Sequence, residues 1–220
     1  KGTGTGTGYN VGIHYNLEDE FAISVSYRSK VVTKLKNGDA TFDVPESVAS
    51  NFPAGNKFSA ELPLPSTFAA GIAFPISEKL KMALDATLIN YDIYKALDFD
   101  YKENTPVLQD THSPKKYDKA GSIKAGLEYI ASDCLQLRIG GGVIATPVQQ
   151  SAYVYPETPD NTRYLISGGF TVKPSPKIDV TGSFAYQRIV ARPSTNVESH
   201  LSGTYVTNIF APGIGVSYKW

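Results

Sequence analysis

The sequence is poor in several features that define other protein classes. Its 220 residues include one cysteine, Cys134, so no disulfide can form within the chain. No run approaches the ~20 apolar residues that a membrane-spanning helix needs. The 21 Lys and Arg residues balance the 21 Asp and Glu residues, so the net charge is zero. This composition excludes a disulfide scaffold and a helical membrane protein, and the absence of a basic excess argues against a nucleic-acid partner.

Apolar and polar residues alternate along most of the chain, and no segment shows the period of a helix. In "FAISVSYR" (21–28), one parity carries Phe21, Ile23, Val25 and Tyr27. The segments "SIKAGLEY", "CLQLRIG", "KIDVTGSFAYQ" and "PGIGVSYKW" follow the same pattern. Because successive strand residues point to opposite faces, each segment is expected to have one apolar face and one small or polar face. The sequence therefore predicts an all-β protein.

Short and long connections alternate between these segments. The short turns are 16–20, 75–79, 131–134 and 173–177, and the long connections are 36–65, 98–118, 145–161 and 190–203. A barrel of the outer membrane has this arrangement, with tight periplasmic turns at one rim and large extracellular loops at the other. A β-sandwich is not expected to separate its loops by length. The pattern favours an antiparallel transmembrane β-barrel.

The connections divide the chain into nine predicted strands. These are 8–16, 20–35, 66–75, 78–96, 119–130, 134–145, 162–173, 177–190 and 203–220. Asn37-Gly38 predicts a hairpin turn where the second strand extends beyond the membrane. Bacterial single-chain barrels have even strand numbers, so an odd count indicates that earlier strands are missing. We expect residues 1–220 to be the C-terminal part of one larger barrel domain.

Aromatic residues near the strand ends support a membrane environment. Tyr27, Tyr129, Tyr186, Tyr218 and Trp220 fall on the apolar parity, where an interfacial girdle would lie. The alternative is that they form the core of a soluble sandwich. The opposite parity is mostly small or polar and seldom charged, which suits a lumen better than a solvated sheet surface.

Three long segments resemble one known family. They are "GTGYNVGIHYNLEDEFAISVSYRSKV", "ELPLPSTFAAGIAFPISEKLKMALDATLINYDIY" and "DNTRYLISGGFTVKPSPKIDVTGSFAYQR". In order and spacing they are similar to the FadL/TodX family of long-chain fatty acid transporters. The tryptophan usual in the family's long strand is absent, and Tyr91 and Tyr94 are the nearest aromatics.

The resemblance implies a bacterial outer-membrane barrel of about 14 strands with an N-terminal hatch. It also implies passive uptake of hydrophobic compounds such as fatty acids, which leave sideways through the wall into membrane lipid. Tyr218 and Trp220 resemble the terminal signal that the barrel-assembly machinery recognises.

A hydrophobic carboxylate needs apolar contacts in the lumen and a cation for its head group. Counting parity along the predicted strands places both kinds of residue on the inner face. The predicted ligand-binding residues are Ile89, Tyr91, Ile93, Leu165, Arg138, Lys124 and Arg163. The alternative for Arg138 and Lys124 is that each pairs with a lumenal acid such as Glu128, Asp85 or Asp179.

Other functions find less support in the residues. A structural or adhesive barrel would bind surface partners through its loops and have a uniformly polar interior. A lipid-modifying enzyme would need His14 and a serine such as Ser24 together with an acid, and no acid is evident. "GTGTGTG" precedes a strand instead of a helix, so it does not predict a phosphate-binding loop. The acids of "DFDYKENTPVLQD" lack the spacing of a calcium loop. We predict no enzyme activity, cofactor or metal.

Overall fold

The computed structural model describes residues 1–17 and 21–219, and almost all regular structure in this part of the chain is β. In chain order the strands are β1 Gly4–Thr5, β2 Asn10–Leu17, β3 Phe21–Arg28, β4 Val31–Asp39, β5 Lys57–Leu64, β6 Thr67–Ser77, β7 Leu80–Ile89, β8 Ala96–Tyr101, β9 Thr111–Pro114, β10 Ala120–Ser132, β11 Leu135–Ile144, β12 Arg163–Ser175, β13 Ile178–Thr195 and β14 Ser202–Tyr218. Short 3₁₀ helices span Glu46–Asn51, Tyr91–Ile93 and Ser151–Tyr153. Of the helices in the described ranges, none has the length and apolarity to cross a membrane.

Nine strands form one antiparallel sheet in the order β2-β3-β6-β7-β10-β11-β12-β13-β14. Each strand pairs with the strands that precede and follow it within this sheet in chain order, which is the arrangement of a barrel wall. The sheet is open, with β2 and β14 at its edges. The predicted fold class, a sector of a larger barrel, is confirmed. Parts of two predictions, the turn at 16–20 and the terminal Trp220, lie outside the described residues, and the assembly signal stays a prediction.

The two faces of this sheet differ as the alternation predicts. On one face, large apolar side chains are open to the surroundings, with Ile123 71% and Ile214 86% exposed. Cross-strand pairs keep this face continuous, as where Leu127 lies opposite Ile139 on one side and Met82 on the other. The other face carries glycine, alanine, serine and the charged residues. We call the first the outward face and the second the lumenal face.

Residues beyond one rim build a second, five-stranded sheet in the order β1-β4-β5-β8-β9. Two of the predicted strands, 20–35 and 78–96, were therefore too long. The first is divided between β3 and β4, which belong to different sheets. The second ends at Ile89, where the Asn90 side chain donates a hydrogen bond to Ser66 Oγ at 2.8 Å. Asparagine competes for local hydrogen bonds in this way, and a 3₁₀ turn follows instead of further strand.

The predicted hairpin turn at Asn37-Gly38 was wrong in position. β4 and β5 do pair, but their connection is residues 40–56. Asn37 has the positive φ of 55° that the sequence pattern suggests, yet it lies in a bulge between the pairs Leu35–Ala60 and Gly38–Phe58. Asparagine and glycine satisfy a bulge for the same conformational reason that they satisfy a turn.

The Gly-Thr repeat at the start of the chain is an edge strand. Gly4 lies opposite Leu35, and Thr5 lies opposite Lys34. A Cβ atom at Gly6 would come within 2.7 Å of Val31 Cγ1, and one at Gly4 within 2.9 Å of Thr33 Cγ2. Glycine at alternate positions thus lets the branched side chains of β4 lie across the backbone of the edge strand.

Candidate lumenal site

The lumenal face carries a band of apolar residues near the rim of long connections. We call Ile89, Ile144, Leu165, Ile189 and Ile209 the apolar band. The register places them on five strands at similar height. Ile144 and Ile189 both lie opposite Arg163, and Leu165 lies two residues further along β12. Ile209 and Leu165 lie opposite the same residue of β13, and Ile89 lies opposite the residue two positions before the partner of Ile144 on β10. Ile189 is only 7% exposed, whereas Leu165 borders an open cavity. The band offers the kind of apolar contact that a hydrophobic ligand needs.

Arg163 is the cation of this band. Asp160 accepts hydrogen bonds from Arg163 Nε at 3.2 Å and from Nη2 at 2.8 Å. The other carboxylate oxygen of Asp160 accepts a hydrogen bond from Thr146 Oγ1 at 2.8 Å. Asp160 therefore holds the guanidinium against the band and balances its charge, while Nη1 donates no hydrogen bond within the described ranges.

The other two predicted lumenal cations are paired with acids. Lys124 Nζ lies 3.4 Å from Asp85 Oδ1. Arg138 donates from Nε to Glu128 at 2.7 Å, from Nη1 to Thr171 at 2.7 Å and from Nη2 to Gln136 at 3.1 Å. The alternative left open by the sequence, that these two cations pair with lumenal acids, is confirmed for Glu128 and Asp85.

Asp179, the third acid suggested as a partner for Lys124 or Arg138, pairs instead with Lys219 at 3.0 Å. The register explains this choice, because Asp179 lies opposite Ser217 near the rim of short turns. Lys219 lies two residues after Ser217 on the same face, so its ammonium reaches the Asp179 carboxylate. Arg138 lies on β11, opposite Gly169 of β12.

Small residues lie between the apolar band and the Arg138–Glu128 pair, whereas the Lys124–Asp85 pair lies at the height of Leu165. Gly126, Gly140, Ser167, Gly169 and Ser183 occupy lumenal positions on four neighbouring strands. Their small side chains leave a cavity of about 730 Å³, which Leu165, Lys124 and Arg138 also line. The space is large enough for a small organic molecule, since ligand pockets commonly have ~300–1,000 Å³.

The long connections interlock above this part of the wall, and we call residues 145–162 and 190–201 the cap. Asn196, 1% exposed, donates to the Val154 carbonyl at 3.1 Å and accepts from Ser199 N at 2.8 Å. Arg192 donates to the carbonyl oxygens of Val148 and Gln149. The bonds from Asn196 to Val154 and from Arg192 to Val148 and Gln149 join two connections that are remote in sequence, so the cap is held as one unit.

A tyrosine and a lysine join the preceding connection to the cap. The Tyr155 hydroxyl lies 2.7 Å from the Pro114 carbonyl and 2.8 Å from the Glu198 carboxylate. The Lys115 ammonium lies 3.4 Å from the centre of the Tyr155 ring. Burial raises the pKa of Tyr155 to about 12, and burial lowers the pKa of Lys115. The hydroxyl therefore stays protonated at neutral pH and keeps its hydrogen bonds.

The structure divides the predicted ligand-binding residues among several places. Ile89 and Leu165 belong to the apolar band, Arg163 is the cation beside it, and Lys124 and Arg138 border the cavity that Leu165 also lines. Tyr91 lies in a 3₁₀ turn, with its ring 6.2 Å from that of Tyr117. Ile93 borders a separate cavity beside Lys95 and beside Lys34 of the five-stranded sheet. The shared parity predicted for Ile89, Tyr91 and Ile93 was wrong, because β7 ends at Ile89.

Sequence reasoning missed four contributors to the site. Three of them lie on predicted strands with lumenal parity that the sequence shows, but they were not among the predicted ligand-binding residues: Ile144, Ile189 and Ile209. Asp160 was placed in a long connection and was not connected with Arg163. The i to i+3 spacing of the two residues was the available signal, but only the chain reversal into β12 brings the carboxylate to the guanidinium.

The residues considered for catalysis lie on the lumenal face. His14 and Ser24 are cross-strand partners, and Asp85 lies beyond Gly71 on the next strand pair. Asp85 is paired with Lys124. Among the hydrogen bonds of residues 1–17 and 21–219, none joins His14 to Ser24, and no group of acids, His and Cys in these ranges is arranged to hold a metal ion.

The sequence profile of one protein family, described as outer membrane protein transport protein (OMPP1/FadL/TodX), matches residues 1–219. A putative outer membrane protein of Neisseria meningitidis serogroup B is 24% identical over 183 residues, which are 77% of this chain and 39% of that protein. The chain therefore spans well under half the length of this curated relative.

Solved structures have the same fold. A FadL homologue of Pseudomonas aeruginosa superposes with a TM-score of 0.73 at 20% identity, over 95% of this chain and 50% of that one. The toluene transporter TodX of Pseudomonas putida superposes with a TM-score of 0.60 at 15% identity, over 99% of this chain and 50% of that one. The chain corresponds to about half of each structure.

Proposed function

Because the chain belongs to the outer membrane protein transport family (OMPP1/FadL/TodX), we propose that it forms part of a barrel through which hydrophobic small molecules cross the bacterial outer membrane by diffusion. The apolar band on the lumenal face is the observation that carries this proposal. A purely structural or adhesive barrel has no need for five large aliphatic side chains facing its interior. The chemistry is reversible binding, and no covalent step or cofactor is assigned.

The proposed mechanism follows the order of the regions along the lumen. A ligand passes the long connections, replaces water at Leu165 and Ile209, and moves into the cavity floored by glycine and serine. Burial of apolar surface provides the affinity, at ~25 cal/mol per Å². The two ion pairs beside the cavity do not oppose an uncharged solute, since Lys124 and Arg138 already have carboxylate partners.

Long-chain fatty acids are the finer proposal. Their alkyl chains suit the apolar band, and their carboxylates need a donor. Arg138 already uses Nε, Nη1 and Nη2 in hydrogen bonds to protein groups, so it is a poor candidate. Arg163 uses Nε and Nη2 with Asp160, and we assign the head group to Nη1. On the same basis Lys124, which has one partner, is the secondary head-group site.

The decisive experiment uses the full-length protein purified from its native membrane in mild detergent. Bound apolar compounds are extracted and identified by mass spectrometry, with a general porin from the same membrane as the control. Enrichment of a fatty acid or hydrocarbon supports transport and identifies the ligand class. Equal amounts of ordinary membrane lipid in both samples would contradict the proposal and favour an adhesive barrel.

Variants then separate the coarse proposal from the finer one. Leu165→Asn is expected to weaken binding of fatty acids and hydrocarbons alike. Arg163→Gln is expected to weaken fatty acid binding about tenfold, because a hydrogen bond to a charged group contributes ~1.5–3 kcal/mol, and to leave hydrocarbon binding unchanged. Arg138→Gln is the matched control. An equal loss for both ligand classes in Arg163→Gln would refute the head-group assignment alone.

A further inference from the structure

Arg188 is an unexplained cation on the outward face of the sheet. Between the rim of short turns and the height of Arg188, all other outward positions of the described strands carry uncharged side chains. Examples on β13 itself are Val180, Phe184 and Tyr186. Its parity is settled by the register, because Arg188 lies opposite Tyr164 on β12 and opposite Asn208 on β14. Both neighbours, like Arg188, are exposed.

The height of Arg188 corresponds to the outer edge of the apolar belt. Arg188 is ten residues along β13 from Ile178, which is at the rim of short turns. At ~3.3 Å per residue and a strand tilt of ~40°, this distance is about 25 Å along the membrane normal. An apolar belt is itself ~25 Å tall, so the guanidinium reaches the head groups of the outer leaflet.

The surroundings of Arg188 provide further donors. Tyr186 donates its hydroxyl hydrogen to Asn208 Oδ1 at 2.7 Å. With Oδ1 engaged, the Asn208 amide has its two N–H groups available beside Arg188. Tyr164, on the other side of Arg188, is 55% exposed and carries a hydroxyl. Within the described ranges, no ion pair or hydrogen bond of the Arg188 side chain occurs.

A guanidinium flanked by amide and phenol donors has the chemistry of a phosphate site. The rows below it on the outward face are apolar, with Ile166 opposite Tyr186 and Phe210 opposite Tyr186 on the other side. The stacked rings of Tyr186 and Phe210, 5.1 Å apart, form a flat apolar surface beneath the donors. A single molecule with a phosphate head and acyl chains would contact both parts.

We propose that Arg188, Asn208 and Tyr164 bind a phosphate of the phosphorylated glycolipid in the outer leaflet, with its acyl chains against Tyr186 and Phe210. The site faces lipid, so a lipid-borne phosphate reaches it and remains there. A freely diffusing phosphate would gain nothing from the apolar surface below. This site is separate from the lumen and does not depend on which compound the barrel transports.

The test measures glycolipid bound to the full-length protein. Wild type, Arg188→Gln, Arg188→Lys and the control Lys119→Gln are purified from native outer membranes in mild detergent. Lys119 is an exposed lysine at the same rim, just before β10. Heat-modified migration on gels confirms that each variant is folded. Bound glycolipid per protein is expected to fall about tenfold in Arg188→Gln, to remain at half or more in Arg188→Lys, and to be unchanged in Lys119→Gln.

Add-back to delipidated protein identifies the chemical group. Intact glycolipid should rebind, whereas phosphatase-treated glycolipid, phosphatidylglycerol vesicles and inorganic phosphate should bind at least fivefold more weakly. Equal retention by wild type and Arg188→Gln would overturn the proposal. Equal binding of the dephosphorylated glycolipid would also overturn it, since the phosphate would then not be recognised, and displacement by inorganic phosphate alone would show that the site is not specific for lipid.

Discussion

Ser183 and Phe184 are consecutive residues at mid-height on β13, and they face opposite environments. Ser183 lies on the lumenal face, opposite Gly169 and Gly213, whereas Phe184 is exposed on the outward face beside Phe210. The same contrast repeats along the whole nine-stranded sheet. Charged residues at the level of the cavity are lumenal, and four of them form the pairs Arg138–Glu128 and Lys124–Asp85, while the outward face at that level is apolar. One face of the sheet thus contacts lipid and the other faces the wet lumen, and residue parity alone determines the face on which each side chain lies.

The largest expected effect comes from placing a charge on each face in turn. Phe184→Arg should destabilise the folded protein by about 2–4 kcal/mol relative to Phe184→Leu, because it places a guanidinium in the hydrocarbon near the bilayer midplane. Ser183→Arg, one residue earlier, should cost less than about 1 kcal/mol because the side chain reaches a wet lumen. The measurement is urea unfolding of the full-length protein in phospholipid vesicles. Similar losses for both variants would mean that the two faces are not distinguished as described.

A smaller effect tests how the outward face accommodates glycine. The ring of Phe170 covers Gly182 so closely that a Cβ there would come within 2.6 Å of Cζ. Gly182→Ala should therefore cost ~1 kcal/mol or more through overpacking. Gly215, on the lumenal face of β14, has open space around the same position, and Gly215→Ala should be neutral or slightly stabilising. The same unfolding assay gives both values, and a reversed order would contradict the packing described.

The smallest effect concerns the lumenal ion pairs. Arg138 and Glu128 side chains are 41% and 30% exposed, so water screens their attraction. A double-mutant cycle with Glu128→Gln and Arg138→Gln should give a coupling of only about 0.2–1 kcal/mol. A coupling of several kcal/mol would indicate a dry lumen around the pair, and the contrast between the two faces would then be weaker than we infer.

Most of the nine-stranded sheet could be predicted from the sequence, because it follows from local features of the chain. Parity decides the face of each residue, and the alternation of short and long connections decides the order of strands. The nine strands of the sheet and the pairing of Lys124 and Arg138 with acids follow from those rules. The predictions failed where a strand leaves the wall, at Ser29–Lys30 and at Asn90, because these breaks depend on hydrogen bonds to residues remote in sequence, such as Asn90 to Ser66.

The candidate site shows the same division. Ile89, Leu165 and Arg163 could be selected from sequence, because each is close to a strand end and has lumenal parity. Tyr91 and Ile93 could not be excluded as ligand-binding residues, because the alternation of apolar and polar residues in the sequence continues beyond Ile89. The strand itself ends at Ile89. The partnership of Asp160 with Arg163 was also inaccessible, because it depends on how the connection before β12 reverses direction.

The amino-acid sequence by itself determined the class of fold, the two faces of the wall and the membrane setting, since each follows from a period-two pattern and from loop lengths. The tertiary structure decided which residues stand at the same height: the apolar band around Arg163, the cap held by Asn196, and the row of Tyr164, Arg188 and Asn208 facing lipid. The physical reason is register. A strand's own sequence sets the direction of each side chain, but only its hydrogen-bonded neighbours set what lies beside it.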